Sequence, residues 1–453
     1  RALHAEDSAA REITDTALGL EGLKRQWGVH AAGVIMSSAP VIDVIPIMRR
    51  LQDGQVITQF DYPMAESLGL IKMDFLGLRN LTIISDALEN VKANQGVDLD
   101  LETLDVDDPA AYELLARGDT LGVFQLDGGP MRSLLKMMRP DNFEDISATI
   151  ALYRPGPMGA NSHTNYALRK NGQQEITPIH PELEEPLREI LDTTYGLIVY
   201  QEQVMAIAQK VAGYSLGQAD ILRRAMGKKI RAEMDKQRDI FVAGAMKNGV
   251  GKGQAETIFE LLAKFADYGF NKSHAAAYAL VSYHTAYMKA HFPVEFLAAS
   301  MTLELNNTDK LSEFRSEAQR LGIKVEAPNI NRSGATFEVS ENTIYYALAA
   351  LKGVGIQAVE QIIEERNKKG AFTSLADFAA RVSPRAVNKR IIESLAAAGA
   401  FDTLERNRAR VFAGADAILA ACQRSHEAAT SGQNDMFGSA PDARSEEHTS
   451  ELQ

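Results

Sequence analysis

One acid and one base alternate with apolar residues in the stretch GLIKMDFLGLRNLT, at residues 69–82. Strand periodicity places Lys72 and Asp74 on one face of a strand and the apolar side chains on the other. The pair is either a structural contact or a functional one, in which the aspartate binds a hard cation and the lysine meets phosphate. Because a two-metal site holds its ions roughly 4 Å apart with several carboxylates, Asp74 needs acidic partners from elsewhere.

Basic residues cluster in LRRAMGKK, at residues 222–229. Ser215 and Gln218 form a capping-box pattern, which predicts a helix that carries the arginines toward its C-terminal end. A solvated helix end explains such a run, but forked guanidinium donors beside ammonium charges also suit a triphosphate. The candidate phosphate contacts are Arg223, Arg224, Lys228 and Lys229.

A second chemical candidate is YGFNKSHAAAYALVSY, at residues 268–283. A cap at residues 271–273 predicts a helix on which His274 and Tyr278 are four residues apart and share a face. Its N-terminus, beside Lys272, is expected to offer free amide donors and a partial positive charge to an anion. The alternative is a packed aromatic helix face.

Two segments resemble helix-hairpin-helix units. In LKGVGIQAVEQIIEER, at residues 351–366, Gly353, Val354 and Gly355 form the predicted hairpin before an amphipathic helix. Glycines let the backbone approach a phosphate closely, so amides at the helix start can hold a DNA backbone without reading bases. A weaker unit covers residues 387–404, with Gly399 at its hairpin. An ordinary helix pair with a glycine turn remains the other interpretation of each.

Near its end the chain carries QNDMF in a polar stretch. An acidic residue followed by an aliphatic and an aromatic one is typical of a short linear motif that buries its last two side chains in a partner. Tethering raises the effective concentration of such a motif to about millimolar. A plain linker is the alternative interpretation. The candidate residues are Gln433, Asp435, Met436 and Phe437.

The length, composition, net charge and cysteine count of the chain limit the class of protein. The 453 residues are 45% apolar and 24% charged, an ordinary globular mix, and the net charge of −12 argues against nucleic-acid binding over the whole surface while allowing local basic sites. We find no apolar run of about 18 residues and no signal-peptide pattern, so we expect a cytoplasmic protein that does not enter a membrane. The single cysteine, Cys422, excludes an internal disulfide and a cysteine-based zinc cluster within this sequence.

The predicted fold class is mainly α with a small β part (α+β). We expect helix over residues 1–27, short strands within 28–45 and 56–60 that form one small sheet with the 69–82 stretch, and helices from 78 to about 321, interrupted by turns at 128–130 and 154–159. A β-hairpin is predicted from 336–339 and 343–347, followed by helices to about Cys422.

These motifs, in their order, resemble those of the catalytic α subunits of bacterial DNA polymerase III, the C-family replicative polymerases. The resemblance covers residues 1 to about 438. The stretches that carry it are GVHAAGVI, LIKMDFLGLRNLTII, FQLDGGPM, ALYRPGPMG, TYGLIVYQEQVM, GYSLGQADILRRAMGKK and YGFNKSHAAAYALVSY.

The resemblance implies a set of domains. Residues 1–27 would end the thumb, 28–80 would form the second part of the palm and its partial sheet, and 81–335 would form a large helical fingers domain. Residues 336–430 would form the helix-hairpin-helix domain, which would bind DNA and the β sliding clamp, a partner protein of the polymerase. Residues 431–444 would hold the clamp-binding motif and a linker, and we expect 445–453, SEEHTSELQ, to be a tail that is not native.

It also implies roles for residues. Asp74 would be the third catalytic carboxylate and a ligand of two Mg²⁺ ions, with Lys72 next to the incoming deoxynucleoside triphosphate. Arg223 and Arg224 would contact its phosphates, while the nucleotide and template side would be lined by Lys228, Lys229, Arg154, Lys272, His274 and Tyr278. The hairpins would hold primer-template DNA, and QNDMF would bind the β sliding clamp. Other subunits of the replicative holoenzyme would be further partners.

The sequence departs from this family in one important respect. The family's first two catalytic aspartates lie in a P-D-I-D-type motif, which the 453 residues do not contain. We therefore expect a fragment that cannot polymerise by itself and that leaves an edge and the apolar face of its palm sheet uncovered. Two alternatives are an error-prone paralogue, expected to have a degenerate clamp motif, and a non-enzymatic DNA- and clamp-binding module, which has no need for the two basic motifs.

Overall fold

The computed structural model describes residues 2–23, 26–30, 32–178, 181–228, 231–266 and 268–430. The chain divides into two compact units, Arg1–Leu78 and Arg79–Gln453. Both the small amount of strand and the dominance of helix confirm the predicted α+β class.

The described residues of the first unit form three helices and four strands. The helices are α1 (Ala2–Glu6), α2 (Ser8–Leu20) and α3 (Tyr62–Ser67), and the strands are β1 (Gly33–Met36), β2 (Ile47–Arg49), β3 (Val56–Thr58) and β4 (Ile71–Asp74). The prediction of helix to residue 27 is wrong, because the chain turns after Leu20 through Gly22, whose φ of 83° ends the helix.

Two separate ladders replace the single predicted sheet. β1 pairs antiparallel with β4, with Gly33 opposite Asp74, whereas β2 pairs antiparallel with β3. After Met36 the chain leaves the first ladder through Pro40 and a 3₁₀ turn at Val41–Asp43, so residues 41–45 add no strand to it.

The apolar face of the β1–β4 ladder lies largely open. Val34 is 49% exposed, its partner Met73 is 43% exposed, and Ile71 is 62% exposed. The buried core of the unit is small and consists of Ile45, Ala65 and Leu70. The uncovered apolar face expected from the sequence is therefore found.

The second unit is built from helices. They are α4 (Arg79–Gln95), α5 (Pro109–Arg117), α6 (Gly129–Met138), α7 (Phe143–Leu152), α8 (Pro155–Gly159), α9 (Ser162–Lys170), α10 (Glu184–Leu191), α11 (Gln201–Ala212), α12 (Leu216–Lys228), α13 (Arg231–Lys247), α14 (Lys252–Ala266), α15 (Lys272–His291), α16 (Pro293–Leu303), α17 (Thr308–Arg320), α18 (Ile356–Lys369), α19 (Leu375–Arg381), α20 (Lys389–Ala397), α21 (Arg408–Ala413) and α22 (Ala415–Thr430). The segments predicted as turns at 128–130 and 154–159 instead contribute to α6 and α8, because proline is well tolerated at the first positions of a helix.

Helix α15 forms the centre of this unit. It packs against α7, α5, α4 and α16, and Tyr283 at its middle is fully buried. Lys289, near its end, donates to the carbonyl oxygens of Asp119 and Leu121 at 2.8 and 2.9 Å and pairs with Glu317 of α17 at 2.7 Å. These contacts fix the loop after α5, and α17, to the central helix.

A small sheet follows α17. Its strands are β5 (Lys324–Glu326), β6 (Glu338–Ser340) and β7 (Thr343–Tyr345), in the order β5-β7-β6. The antiparallel β6–β7 pair confirms the predicted hairpin, whereas the parallel β5 was not predicted because its partner lies 19 residues away. Phe337 and Ile344 share a buried cluster with Phe296 of α16, so the hairpin packs onto the preceding helices.

The last core extends from Ile330 to Cys422 and joins α18 to α22. Burial raises the pKa of the Cys422 thiol to about 11, as expected for an unreactive core cysteine. Within the described ranges, no helix combines the length and hydropathy needed to cross a bilayer.

Candidate functional site

Lys72 and Asp74 form the ion pair that strand alternation predicts. Lys72 Nζ lies 2.8 Å from Asp74 Oδ1, and His30 Nδ1 lies 3.8 Å from the same oxygen. The hydrogen bond from Lys72 lowers the pKa of the Asp74 carboxyl. The ammonium group also lies 5.4 Å from the centre of the Tyr62 ring. Asp74 is thus held ionised at a partly exposed strand end.

Gly33 is required by this arrangement, which sequence reasoning did not identify. A Cβ atom at Gly33 would lie 2.6 Å from Lys72 Cε, 2.9 Å from His30 Nδ1 and 3.1 Å from Asp74 Oδ1. Because a Cβ atom there would force Lys72 and His30 to shift, the arrangement favours glycine opposite Asp74. The signal was present in GVHAAGVI, where His30 and Gly33 are three residues apart.

The residues around Asp74 do not by themselves fit a Mg²⁺ ion. Its neighbours Lys72 and His30 offer nitrogen atoms, whereas Mg²⁺ requires oxygen ligands. In the part of the chain that the structure describes, no three His, Cys, Asp or Glu side chains are grouped so that they could hold a metal. Asp74 accordingly supplies a single carboxylate.

The arginines of the second unit share one carboxylate. Arg223 donates from Nε and Nη2 to Asp220 Oδ1 at 3.0 and 2.8 Å, and Arg224 donates from Nη2 to Asp220 Oδ2. The remaining Nη1 of Arg223 donates to Gln201 Oε1 at 3.2 Å. The capping box at Ser215 and Gln218 that starts this helix is confirmed.

Gln201 connects Arg223 to the loop at residues 268–271. Its backbone amide donates to Phe270 O at 2.9 Å and its side chain donates to Gly269 O at 3.2 Å. A Cβ atom at Gly269 would lie 3.2 Å from the Gln201 side chain, so the close approach favours glycine there. Gln201 lies in the YQEQ stretch, but its partners are too distant in sequence to be predicted.

Arg154 fixes the same loop from another side. Its Nη2 donates to Tyr268 O at 2.6 Å, its Nε donates to Ala151 O at 2.9 Å, and its guanidinium lies 4.5 Å from the centre of the Phe270 ring. Burial lowers the pKa of Arg154. Gly156 allows this packing, because a Cβ atom there would lie 2.1 Å from the Tyr268 ring.

The N-terminus of α15 is already bonded to protein groups. Lys272 N donates to Glu202 Oε2 at 2.9 Å, Asn271 Nδ2 donates to Glu202 Oε1 at 2.8 Å, and His274 N donates to Asn271 Oδ1 at 2.8 Å. The prediction of free amide donors is therefore wrong for Lys272 and His274. The cause is a carboxylate from α11, which the positive end of the helix dipole attracts.

His274 and Tyr278 share a helix face, as predicted. Their rings are stacked with centres 4.3 Å apart, and Phe270 and Phe124 continue the aromatic row on either side. His274 remains exposed. Lys272 Nζ lies 3.8 Å from Glu144 Oε2. The aromatic packing and an accessible imidazole edge therefore coexist.

The first hairpin has the geometry that its glycines predict. Gly353 has a φ of 85°, and Gly355 is the N-cap of α18, while Val354 between them is buried. Ser394 of α20 donates to Lys352 O at 2.9 Å, so the second helix-hairpin-helix segment, residues 387–404, contacts the first hairpin. The helix before the hairpin is only a 3₁₀ turn, Leu348–Ala350.

The second hairpin also contains a left-handed glycine. Gly399 has a φ of 81°, and Arg408 crosses it so closely that a Cβ atom would lie 2.3 Å from Arg408 Nη2. Arg408 in turn forms a bidentate pair with Asp402.

Other predicted site residues lie outside the described residues. These are Lys229 and the clamp-motif residues Gln433, Asp435, Met436 and Phe437, together with the tail at 445–453. Helix α12 ends at Lys228, whose side chain is likewise not described.

Three family models match the chain. Residues 1–77 match the bacterial DNA polymerase III alpha NTPase domain, residues 80–249 match the bacterial DNA polymerase III alpha subunit finger domain, and residues 322–411 match the helix-hairpin-helix motif.

Curated relatives match along almost the whole chain. A protein of Mycobacterium tuberculosis named DNA polymerase III subunit alpha is 53% identical over 98% of this chain. Proteins of the same name from Thermus aquaticus and Vibrio cholerae are 48% and 46% identical over 96% and 98% of it. The chain spans only 37%, 36% and 39% of the length of these three relatives.

Proposed function

Because this chain belongs to the family of bacterial DNA polymerase III α subunits, we propose that it forms part of a DNA-directed DNA polymerase. The reaction is nucleotidyl transfer from a deoxynucleoside triphosphate to the 3′-hydroxyl of a primer paired with a template, in chromosomal replication. The observation that carries this proposal is the connection of Arg223 through Gln201 to the 268–271 loop, which brings three separate sequence motifs together at one place.

In this proposal Arg223 and Arg224 bind the phosphates of the incoming nucleotide. Two guanidinium groups on successive residues offer the forked donors that phosphate oxygens accept. The nucleotide and template side would be lined by Lys272, His274, Tyr278, Lys228 and Lys229. Arg154 acts mainly by holding the loop, since its donors point at protein carbonyls.

Asp74 is proposed as a catalytic carboxylate and one Mg²⁺ ligand, and Lys72 as a phosphate contact. The 2.8 Å ion pair supports a shared role, because it keeps the carboxylate ionised and the ammonium beside it. Ligands beyond Asp74 are needed for a complete metal site.

The DNA partner is assigned to the hairpins. Gly353, Val354, Gly355 and Gly399 would place backbone amides against the phosphates of a primer-template duplex. Residues 433–437 would bind the β sliding clamp, and other holoenzyme subunits would complete the assembly. We propose a cytoplasmic location, since the relatives are bacterial polymerase subunits.

The two alternative functions have less support. The relatives compared above carry the α-subunit name, which does not favour an error-prone paralogue. A DNA- and clamp-binding module without an enzymatic role does not explain the match of residues 80–249 to the finger domain.

Nucleotide binding by the purified chain tests the proposal. A fluorescent deoxynucleoside triphosphate is titrated into the chain and into the Arg223→Gln and Arg224→Gln variants. Because hydrogen bonds to charged groups contribute about 1.5 to 3 kcal/mol, each substitution should weaken binding about tenfold or more. The control is Arg238→Gln, which removes another exposed arginine of the same unit. Equal affinities for all four proteins would contradict the assignment.

A further inference from the structure

Asp220 bonds to both of the arginines that are proposed to bind phosphate. It precedes them by one turn on α12, and its two oxygens accept from Arg223 and Arg224 respectively. These hydrogen bonds lower the pKa of the Asp220 carboxyl, that from Arg223 having the larger effect. The carboxylate therefore carries a full negative charge at neutral pH, at the position where phosphate oxygens are expected.

We propose that Asp220 is an internal counter-ion that a phosphate must displace, and that it thereby sets the affinity and the charge selectivity of this site. The inference rests on the proposed function, in which Arg223 and Arg224 contact the nucleotide. Asp220 acts through Arg223 and Arg224 and does not itself touch the substrate.

The donors of Arg223 are already bonded to protein groups, so a phosphate must displace one of these partners to bind the guanidinium. A guanidinium binds an oxyanion best with two parallel N–H groups. The Nε–Nη2 edge of Arg223 points at Asp220 Oδ1, and Nη1 donates to Gln201. A phosphate that takes the forked edge must release the carboxylate, and a phosphate that shares it must stand close to a like charge.

Displacement selects for highly charged ligands. The carboxylate brings a single negative charge, whereas a triphosphate brings several and has many acceptor oxygens. A triphosphate therefore gains more from the two guanidiniums than the protein loses by releasing Asp220. An anion with one phosphate gains much less, so the carboxylate excludes it more effectively.

The exchange is sterically possible. The side chains of Asp220 and Arg223 are 29% and 32% exposed, so neither is enclosed by the core. Gln201 holds Arg223 from the other side, which keeps the guanidinium in place when the carboxylate leaves.

If the ion pairs of Asp220 with the arginines were purely structural, phosphate affinity should not increase when Asp220 is replaced. Exposed ion pairs between residues three or four apart contribute little to helix stability and do not oppose a ligand. If Asp220 only orients the arginines, its loss should weaken phosphate binding or leave it unchanged. If it competes with phosphate, its loss should strengthen binding.

The experiment measures binding of a deoxynucleoside triphosphate and of inorganic triphosphate to the purified chain. Asp220→Asn should bind both about tenfold more tightly, as expected from removing a like charge about 5 Å from the ligand. Asp220→Ser is a second neutral variant and should show the same gain. Asp220→Glu restores the charge and should return the affinity toward that of the original chain.

Two comparisons make the result specific. Glu260→Gln removes a carboxylate from another exposed arginine pair, with Arg238, and should leave the affinity unchanged. A deoxynucleoside monophosphate should bind the original chain far more weakly than the triphosphate, and Asp220→Asn should reduce that difference. Thermal melting of each variant confirms that it is folded.

The outcomes separate the two proposals. If the original chain binds triphosphate through Arg223 but Asp220→Asn binds it equally or less tightly, the counter-ion inference is overturned and the proposed function stands. If the folded original chain does not bind triphosphate, the proposed nucleotide site itself fails, and the inference fails with it.

Discussion

The carboxylate of Glu202 accepts a 2.9 Å hydrogen bond from the backbone amide of Lys272, at the first turn of α15. This contact joins two helices through residues that are 70 positions apart in the sequence. It also means that a protein carboxylate occupies the helix end where the sequence predicted anion binding.

Removing this carboxylate should loosen the start of α15. We expect Glu202→Gln to cost about 1 kcal/mol, because a negative charge at a helix N-terminus stabilises by this order. Amide hydrogen exchange at residue 272 should become several times faster. Glu144→Gln is the matched control, since Glu144 pairs with the side chain of Lys272 and not with its amide. Unchanged exchange in Glu202→Gln would show that the contact does not stabilise the helix start.

Gly33→Ala should break the Lys72–Asp74 pair. The added Cβ would lie 2.6 Å from Lys72 Cε and 2.9 Å from His30 Nδ1, so these two side chains must shift, and we expect the shift of Lys72 to break its contact with Asp74. Since the hydrogen bond from Lys72 lowers the pKa of Asp74, that pKa should rise toward its usual value. The measurement is an NMR titration of the Asp74 carboxyl carbon. Gly28→Ala, where nothing lies within 4 Å, should leave the titration unchanged.

Glu317→Gln should destabilise the second unit by about 3 kcal/mol, measured by denaturant unfolding. The substitution leaves Lys289, which is 1% exposed, without its anionic partner. Glu313→Gln on the same helix removes an exposed pair with Lys310 and should change stability by less than about 0.5 kcal/mol. Similar losses in both variants would contradict the role of burial.

The same pair predicts a dependence on pH. Burial opposes ionisation of Glu317, but hydrogen bonds from Arg320 and Lys289 lower its pKa to about 2. A lowered pKa contributes stability that is present above the unfolded value near 4.5 and is lost as the pH falls toward 2. The stability difference between the original chain and Glu317→Gln should therefore shrink over this range. A constant difference would argue against the ion pair.

Gly353→Ala should weaken duplex DNA binding by the whole chain. Alanine is strained at a φ of 85°, and its Cβ would lie 3.2 Å from Arg390 Nε. Gly370→Ala, with a φ of 83° and open space around it, also places alanine at a positive φ, at the other end of α18, and should not affect binding. For the original chain, a plot of the logarithm of the binding constant against the logarithm of the salt concentration should have a slope of about −0.9 per phosphate contacted. An affinity that does not depend on salt concentration would contradict binding to the DNA phosphates.

The purified chain should not extend a primer with Mg²⁺ and four deoxynucleoside triphosphates. The physical reason is that Asp74 has basic neighbours and no second acid beside it among the described residues. The full-length relative from Mycobacterium tuberculosis provides the positive control under the same conditions. Template-dependent extension by the purified chain would refute the expectation.

Local patterns were predicted well from the sequence. The Lys72–Asp74 pair, the Ser215 and Gln218 capping box, and the shared helix face of His274 and Tyr278 all depend on residues within four positions of each other. At these distances the geometry of a strand or helix alone decides which side chains meet.

Contacts between distant segments were not predicted. The Gln201–Arg223 and Glu202–Lys272 bonds join residues 22 and 70 positions apart, and the requirement for Gly33 arises from side chains on a different strand. Periodicity identified β1 and β4 as strands but not which strands pair, so one sheet was predicted where two ladders form. The roles of the site residues stay predictions.

The open face of the β1–β4 ladder has a practical consequence for work with this chain. Val34, Ile71 and Met73 present apolar surface beside strand edges that, among the described residues, carry no further ladder. Such edges promote association between copies. Purified samples should therefore be kept at low protein concentration. Light scattering should accompany every binding measurement, so that aggregation of the protein is not mistaken for ligand binding.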